Sequence, residues 1–107
     1  MSSLLYPEPM ARIALEQARK RLQKLPGWEL HGETVRRQFT FPGFSDAVAF
    51  VVRLGFVAEA ADHHPDILVS YKRVTLTYTT HSAGGLTDKD FDGASEAGKI
   101  ALAMAAS

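Results

Sequence analysis

The chain has 107 residues, enough for one domain and too few for two domains with a linker. Hydrophobic residues make up 46% and charged residues 22%, which is globular composition and excludes wholesale disorder. Twelve basic side chains balance twelve acidic ones, which argues against a general nucleic-acid binder, and the lack of cysteine excludes disulfides, zinc–thiolate sites and thiol catalysis.

Residues 1–10 show no basic segment followed by an apolar one, so no signal peptide is expected. The longest apolar stretch, 47–61, is interrupted by Arg53 and Glu59 and is too short to span a bilayer. With no cysteine to suggest an oxidising compartment, the expected location is the cytoplasm. Charge is uneven along the chain: +3 through Arg53 and −3 after it. The basic cluster Arg19-Lys20-Arg21 with Lys24 falls on one predicted helix and reads as a solvated face.

The first element is a helix over 9–24, where Met10, Ile13, Ala14, Ala18 and Leu22 recur at helical spacing before Pro26-Gly27 stops it. Two strands follow, over 28–31 and 34–41, turning at Gly32-Glu33. In the second, Val35, Phe39 and Phe41 share a face that Arg37 interrupts. A helix over 46–61 is expected next, with Ser45 as N-cap and Asp46 suiting the helix dipole. Its apolar residues Val48, Phe50, Val51, Val52, Leu54, Phe56 and Val57 form more than one stripe, so the sheet can cover one side and a second subunit the other. Pro65 disfavours helix at His64, which ends the helix near Asp62–His63.

Strands over 67–71 and 73–81 come next, the second alternating Val74, Leu76, Tyr78 and Thr80 with Thr75, Thr77, Thr79 and His81. Gly84-Gly85 turns the chain, and Thr87 with Asp90 resembles a capping box for a last helix over 88–105 that buries Phe91, Ala94, Gly98, Ala101, Leu102 and Ala105. The order α-β-β-α-β-β-α predicts a single α+β domain over 1–107: a four-stranded antiparallel sheet with helices packed on one face.

Chemistry concentrates around the histidines. His63 and His64 sit where a helix must stop, His81 ends a strand, and Glu59, Asp62 and Asp66 surround the pair. Glu59 precedes His63 by one helical turn, so the two meet if the helix persists that far, and a carboxylate there would orient the ring. Histidine suits proton transfer near neutrality because its unperturbed pKa is about 6.5. A bland reading stands beside this one: a histidine at a helix C-terminus often caps the last carbonyls, and Asp90 is a natural cap residue. His31, beside a turn, reads as exposed and inert. The histidine spacing argues against a metal site, and neither a phosphate-binding glycine loop nor a nucleophile elbow is present.

The segment Glu59-Ala60-Ala61-Asp62-His63-His64-Pro65-Asp66 resembles the signature of the pterin-4a-carbinolamine dehydratases. So do Tyr71-Lys72-Arg73-Val74, Thr80-His81 and Gly85-Leu86-Thr87-Asp88-Lys89-Asp90, with Leu25-Pro26-Gly27-Trp28 and the Phe39–Phe41 strand upstream. The resemblance covers 25 to about 103, and residues 1–24 match only in pattern. Ser82 stands where the family often has Asp, Lys72 where Asn is common, and Ile67 where some members have Trp.

The resemblance implies loss of water from a 4a-hydroxytetrahydropterin to give a quinonoid dihydropterin, which recycles the pterin after aromatic amino-acid hydroxylation. It implies a hydro-lyase needing neither metal nor organic cofactor. By the resemblance His63 and His81 form the acid/base pair, Glu59 polarises His63, and His64, Pro65, Asp66, Thr80, Ser82 and Asp90 contact or support the pterin. The implied partners are the pterin and a second copy, as homodimer or homotetramer through helix 46–61 and sheet edges, with a functional link to an aromatic amino-acid hydroxylase; neither nucleic acid nor membrane is expected. The alternative within the same fold is a non-catalytic binding or assembly module, since the family includes a dimerisation cofactor of a homeodomain transcription factor.

Overall fold

Strict alternation in two strands sets the fold. Val35 and Phe39 in one strand and Val74, Leu76 and Tyr78 in another are all buried, while the residues between them face outward or sit at the rim. The computed structural model describes residues 11–106, and the elements in chain order are α1 (Leu15–Leu22), β1 (Glu29–His31), β2 (Thr34–Thr40), α2 (Phe44–Ala61), β3 (Asp66–Ser70), β4 (Arg73–Tyr78) and α3 (Asp88–Ala103). The expected α+β architecture is the observed one, an antiparallel sheet in the order β1-β2-β4-β3.

Register puts Val35 opposite Tyr78 and Phe39 opposite Val74, so the apolar pairs lie side by side on one face. Against that face α2 buries Ala47, Phe50, Leu54 and Ala58, and α3 buries Phe91, Ala94, Ala97 and Ala101. The rings of Phe39, Phe41 and Phe50 cluster with centroids 4.9–6.5 Å apart. Each such ring contributes about 1.5–3 kcal/mol when fully buried. Arg37, on the core face opposite Leu76, escapes burial of its charge by laying the guanidinium over the Phe39 ring at 4.2 Å. Partial burial still lowers its pKa below the usual arginine value.

Several expected boundaries move. The part of the first helix expected at 9–10 lies outside the described residues. Its continuation starts at Leu15, because Ala14 is extended and the Ile13 N–H is bonded to the Leu86 carbonyl at 2.6 Å. Gly43, not Ser45, precedes the first turn of α2. Strand β4 stops at Tyr78, and His81 opens a short 3-10 turn, His81–Ala83. On α3 the buried stripe runs through Ala97 and Ala101, which leaves Leu102 exposed; Ala105 lies past the helix end and is also exposed. No helix among the described residues is long and apolar enough to cross a membrane.

Candidate active site

The site begins where α2 ends. Asp62 takes the left-handed conformation, φ 50° and ψ 42°, which short polar side chains tolerate, and the His63 N–H bonds back to the Ala58 carbonyl at 3.1 Å. That single residue swings the chain off the helical track. His63 therefore does not lie over Glu59 as helical spacing predicted. Glu59 instead meets His64, with Oε1 and Nε2 2.7 Å apart at an exposed position.

His63 turns inward to a different carboxylate. Its Nε2 lies 2.5 Å from Oδ1 of Asp90, 27 residues away, and Asp90 is completely buried. The other oxygen of Asp90, Oδ2, accepts from the Thr87 N–H at 2.9 Å and from the Thr80 hydroxyl at 2.7 Å. Thr80 and Thr87 also share a hydroxyl–hydroxyl bond of 2.8 Å. An ionised carboxylate only accepts, so the His63 Nε2 donates and Nδ1 is the nitrogen left for other work. Asp90 is thus both the capping residue of α3, in a capping box with Thr87, and the anchor of an imidazole.

Behind the imidazole lies an aromatic wall. Tyr78 stacks on the His63 ring with centroids 6.0 Å apart and planes 21° from parallel. Burial, and then the nearby negative Asp90, push the Tyr78 phenol up to about 12.

His81 reaches the same place by another route. Thr80 and Gly85 exchange backbone hydrogen bonds of 3.0 and 3.3 Å, closing the loop that carries His81. The result is a cleft of about 460 Å³ lined by Asp62, His63, His64, Thr79, Thr80, His81, Ser82 and Lys89. Three of the four histidines and the predicted Thr80 and Ser82 therefore converge. Pro65 is buried, Asp66 is exposed at the start of β3, Glu59 bears on the cleft through His64, and Asp90 does so through His63 and Thr80. His31 lies apart, exposed and close to Glu29 and Arg36.

Thr79 and Lys89 are additional lining residues. The strand alternation already placed Thr79 with His81, whereas nothing local marks Lys89. Size does not single out this cleft: a hollow of about 630 Å³ lies between α1 and α3, and one of about 510 Å³ lies over the outer sheet face. Neither contains a histidine, and the concentration of proton-transfer groups is what selects the smaller one. Among the described residues no group of three or more His, Asp or Glu side chains is placed to hold a metal ion.

Residues 11–100 match the family described as pterin 4 alpha carbinolamine dehydratase. A relative from Roseiflexus sp. (strain RS-1), provisionally named a pterin-4-alpha-carbinolamine dehydratase, is 48% identical over 89 residues, which cover 83% of this chain and 96% of that one. Among solved structures, a transcriptional coactivator/pterin dehydratase from Brucella melitensis superposes with a TM-score of 0.80 at 36% identity, covering 84% of this chain and 98% of its own. A pterin dehydratase-like protein described as a RuBisCO assembly factor in the alpha-carboxysome shares the fold, with a TM-score of 0.61 at 20% identity over 70% of this chain and 89% of its own.

Proposed function

Because the chain belongs to the pterin 4 alpha carbinolamine dehydratase family, we propose that it is a working 4a-hydroxytetrahydrobiopterin dehydratase of the cytoplasm, in which His63 and His81 perform the proton transfers. The observation that carries this reading is the convergence of His63, His64 and His81 on one cleft, with buried Asp90 fixing one face of the set.

The reaction needs two proton transfers and no redox change. The C4a–O bond breaks and the oxygen leaves as water, taking a proton from one group. The N5–H proton goes to a second group while the C4a=N5 double bond forms. Two imidazoles on separate loops supply both groups near neutral pH. Asp90 orients His63 and holds its proton on Nε2, the part first expected of Glu59. Glu59 and His64 form an exposed pair at the rim that orients the pterin, and Thr80, Ser82, Pro65 and Asp66 shape its surroundings. The 4a-hydroxyl substrate is what aromatic amino-acid hydroxylation leaves behind, which places the enzyme downstream of such a hydroxylase, and its quinonoid product then requires reduction.

Self-association belongs to the same reading. Phe44, Val48, Val52 and Phe56 are exposed at four-residue intervals along α2, and edge strand β3 exposes Ile67, Leu68 and Val69. Apolar stripes and bare edges of this kind mark interfaces. The chain accordingly forms a homodimer through one surface or a homotetramer through both.

The test is stopped-flow dehydration of a chemically generated 4a-carbinolamine. His63→Ala and His81→Ala should each lower the catalysed rate by about a hundred-fold or more. A wild-type rate no greater than the spontaneous one overturns the reading and favours a non-catalytic assembly module, for which the exposed α2 stripe would be the docking face.

A further inference from the structure

We infer that Tyr78 is a positioning residue for His63, its buried ring fixing the plane in which the imidazole presents Nδ1. The inference rests on the dehydratase reading of the cleft, and its test separates the two.

The phenol ring is only 1% exposed, and neighbours enclose it. Trp28 packs on it with centroids 5.8 Å apart at 52°. On α3 it lies so close to Gly93 that a Cβ there would fall 2.6 Å from Cε1 and 2.9 Å from Cζ. The ring therefore cannot retreat toward the helix, and the stacked His63 imidazole lies against a wall that does not yield.

The hydrogen bond to Asp90 fixes one ring nitrogen of His63, yet a single bond at one edge leaves the ring free to tilt about that point. The nearly parallel phenol ring, its centroid 6.0 Å from that of the imidazole, limits the tilt from one side. Strand alternation supplies both restraints from one face of the chain: Tyr78 reaches the ring, and Thr80, two residues on, reaches the carboxylate that holds the ring. A merely structural core tyrosine would need the volume but not the flat face toward His63. Small errors in placing a proton-transfer group are expensive in rate, which gives the planarity a function.

The experiment compares Tyr78→Phe, which keeps the flat face, with Tyr78→Leu, which keeps only apolar bulk. Each is followed by stopped-flow dehydration and by nitrogen-15 NMR of the His63 imidazole. Tyr78→Phe should retain kcat within about two-fold and the Nε2–H tautomer. Tyr78→Leu should lower kcat by about ten-fold with KM little changed, and should broaden or average the His63 ring signals. Wild-type kcat in Tyr78→Leu together with unchanged His63 resonances would overturn the inference. If Tyr78→Leu does not fold, Tyr78→Met, whose unbranched side chain fills the volume without a flat face, takes its place: about ten-fold lower kcat with averaged His63 ring signals supports the clamp, and wild-type kcat with unchanged His63 resonances overturns it. An absence of turnover in the wild type sinks the dehydratase reading alone, because the imidazole measurement needs no turnover.

Discussion

Asp90 offers the sharpest test, because two substitutions should separate its structural role from its chemical one. In Asp90→Ala the Thr87 N–H and His63 Nε2 lose their partner and the Thr80 hydroxyl keeps only its bond to the Thr87 hydroxyl, around a carboxylate position with no access to water. Leaving buried donors without a partner costs roughly 1–3 kcal/mol each, about 3–5 kcal/mol for the set. A domain of this size has only about 5–15 kcal/mol in total. The melting temperature should drop by about 15 °C or more. Asp90→Asn is nearly isosteric and behaves differently. The Thr87 backbone N–H cannot turn away, so the amide oxygen must occupy the Oδ2 position and the amide nitrogen must face His63. Two donors then meet, unless His63 moves its proton to Nδ1 and accepts through Nε2. Stability should fall by only about 1–2 kcal/mol, since most of the network survives. Activity should fall about a hundred-fold or more, since Nδ1 has changed from acceptor to donor. Urea unfolding and stopped-flow dehydration measure the two effects. An Asp90→Asn variant with near-normal turnover would refute the assignment of the tautomer, and an Asp90→Ala variant of near-normal stability would refute the accounting of the network.

Three further outcomes follow from the same geometry. The folded Tyr78 phenol keeps its proton up to about 12 whereas in the unfolded chain it ionises near its ordinary 10, so the unfolded state sheds the proton first; this group should cost wild type about 2 kcal/mol as pH rises from 10 to 12, and Tyr78→Phe should lose less across that window in pH-dependent urea melts. Gly93→Ala should destabilise by about 1–3 kcal/mol in thermal melts, because the new methyl would press on the enclosed Tyr78 ring and not on a side chain that can swing away. Phe56 is 75% exposed, so Phe56→Asp should leave the fold intact, within about 0.5 kcal/mol, while reducing the mass of the proposed assembly in light scattering; a wild-type protein of monomer mass, or an unchanged mass in the variant, would remove α2 from the proposed interface.

The parts of this molecule that follow local periodicity are legible in the amino-acid sequence alone. The Phe50 and Leu54 stripe of α2, the alternation of β4 and the Thr87–Asp90 box all depend on residues a few positions apart. The links that define the site do not. His63 and Asp90 are 27 residues apart, and no spacing rule connects a helix stop to a later helix cap. The assignment of Glu59 to His63 fails for a specific reason: four-residue spacing holds only while the helix continues, and Asp62 in the left-handed region ends it one residue too soon. Leu102 is misplaced by a smaller error, because Ala97 and Ala101, and not the largest apolar residue nearby, set the direction of the buried stripe on α3.

The same helix stop explains how two adjacent histidines come to differ. His63 is nearly buried, with 12% of its side chain exposed, and bonds to a carboxylate that has no access to water; His64 is half exposed and bonds to a carboxylate that is largely in solvent. An exposed side-chain contact of this kind contributes about 0–1 kcal/mol and is readily exchanged for another partner. A buried one with its remaining oxygen saturated is not. In the proposed reaction His64 and Glu59 can therefore rearrange around an arriving pterin at little cost, while His63 has to act from the position that Asp90 gives it. The left-handed Asp62 creates this division by sending consecutive side chains to opposite environments. Removing the turn's tolerance for that conformation, as in Asp62→Val, should disturb both histidines at once, and it should lower kcat and raise KM together, where His64→Ala alone acts mainly on KM.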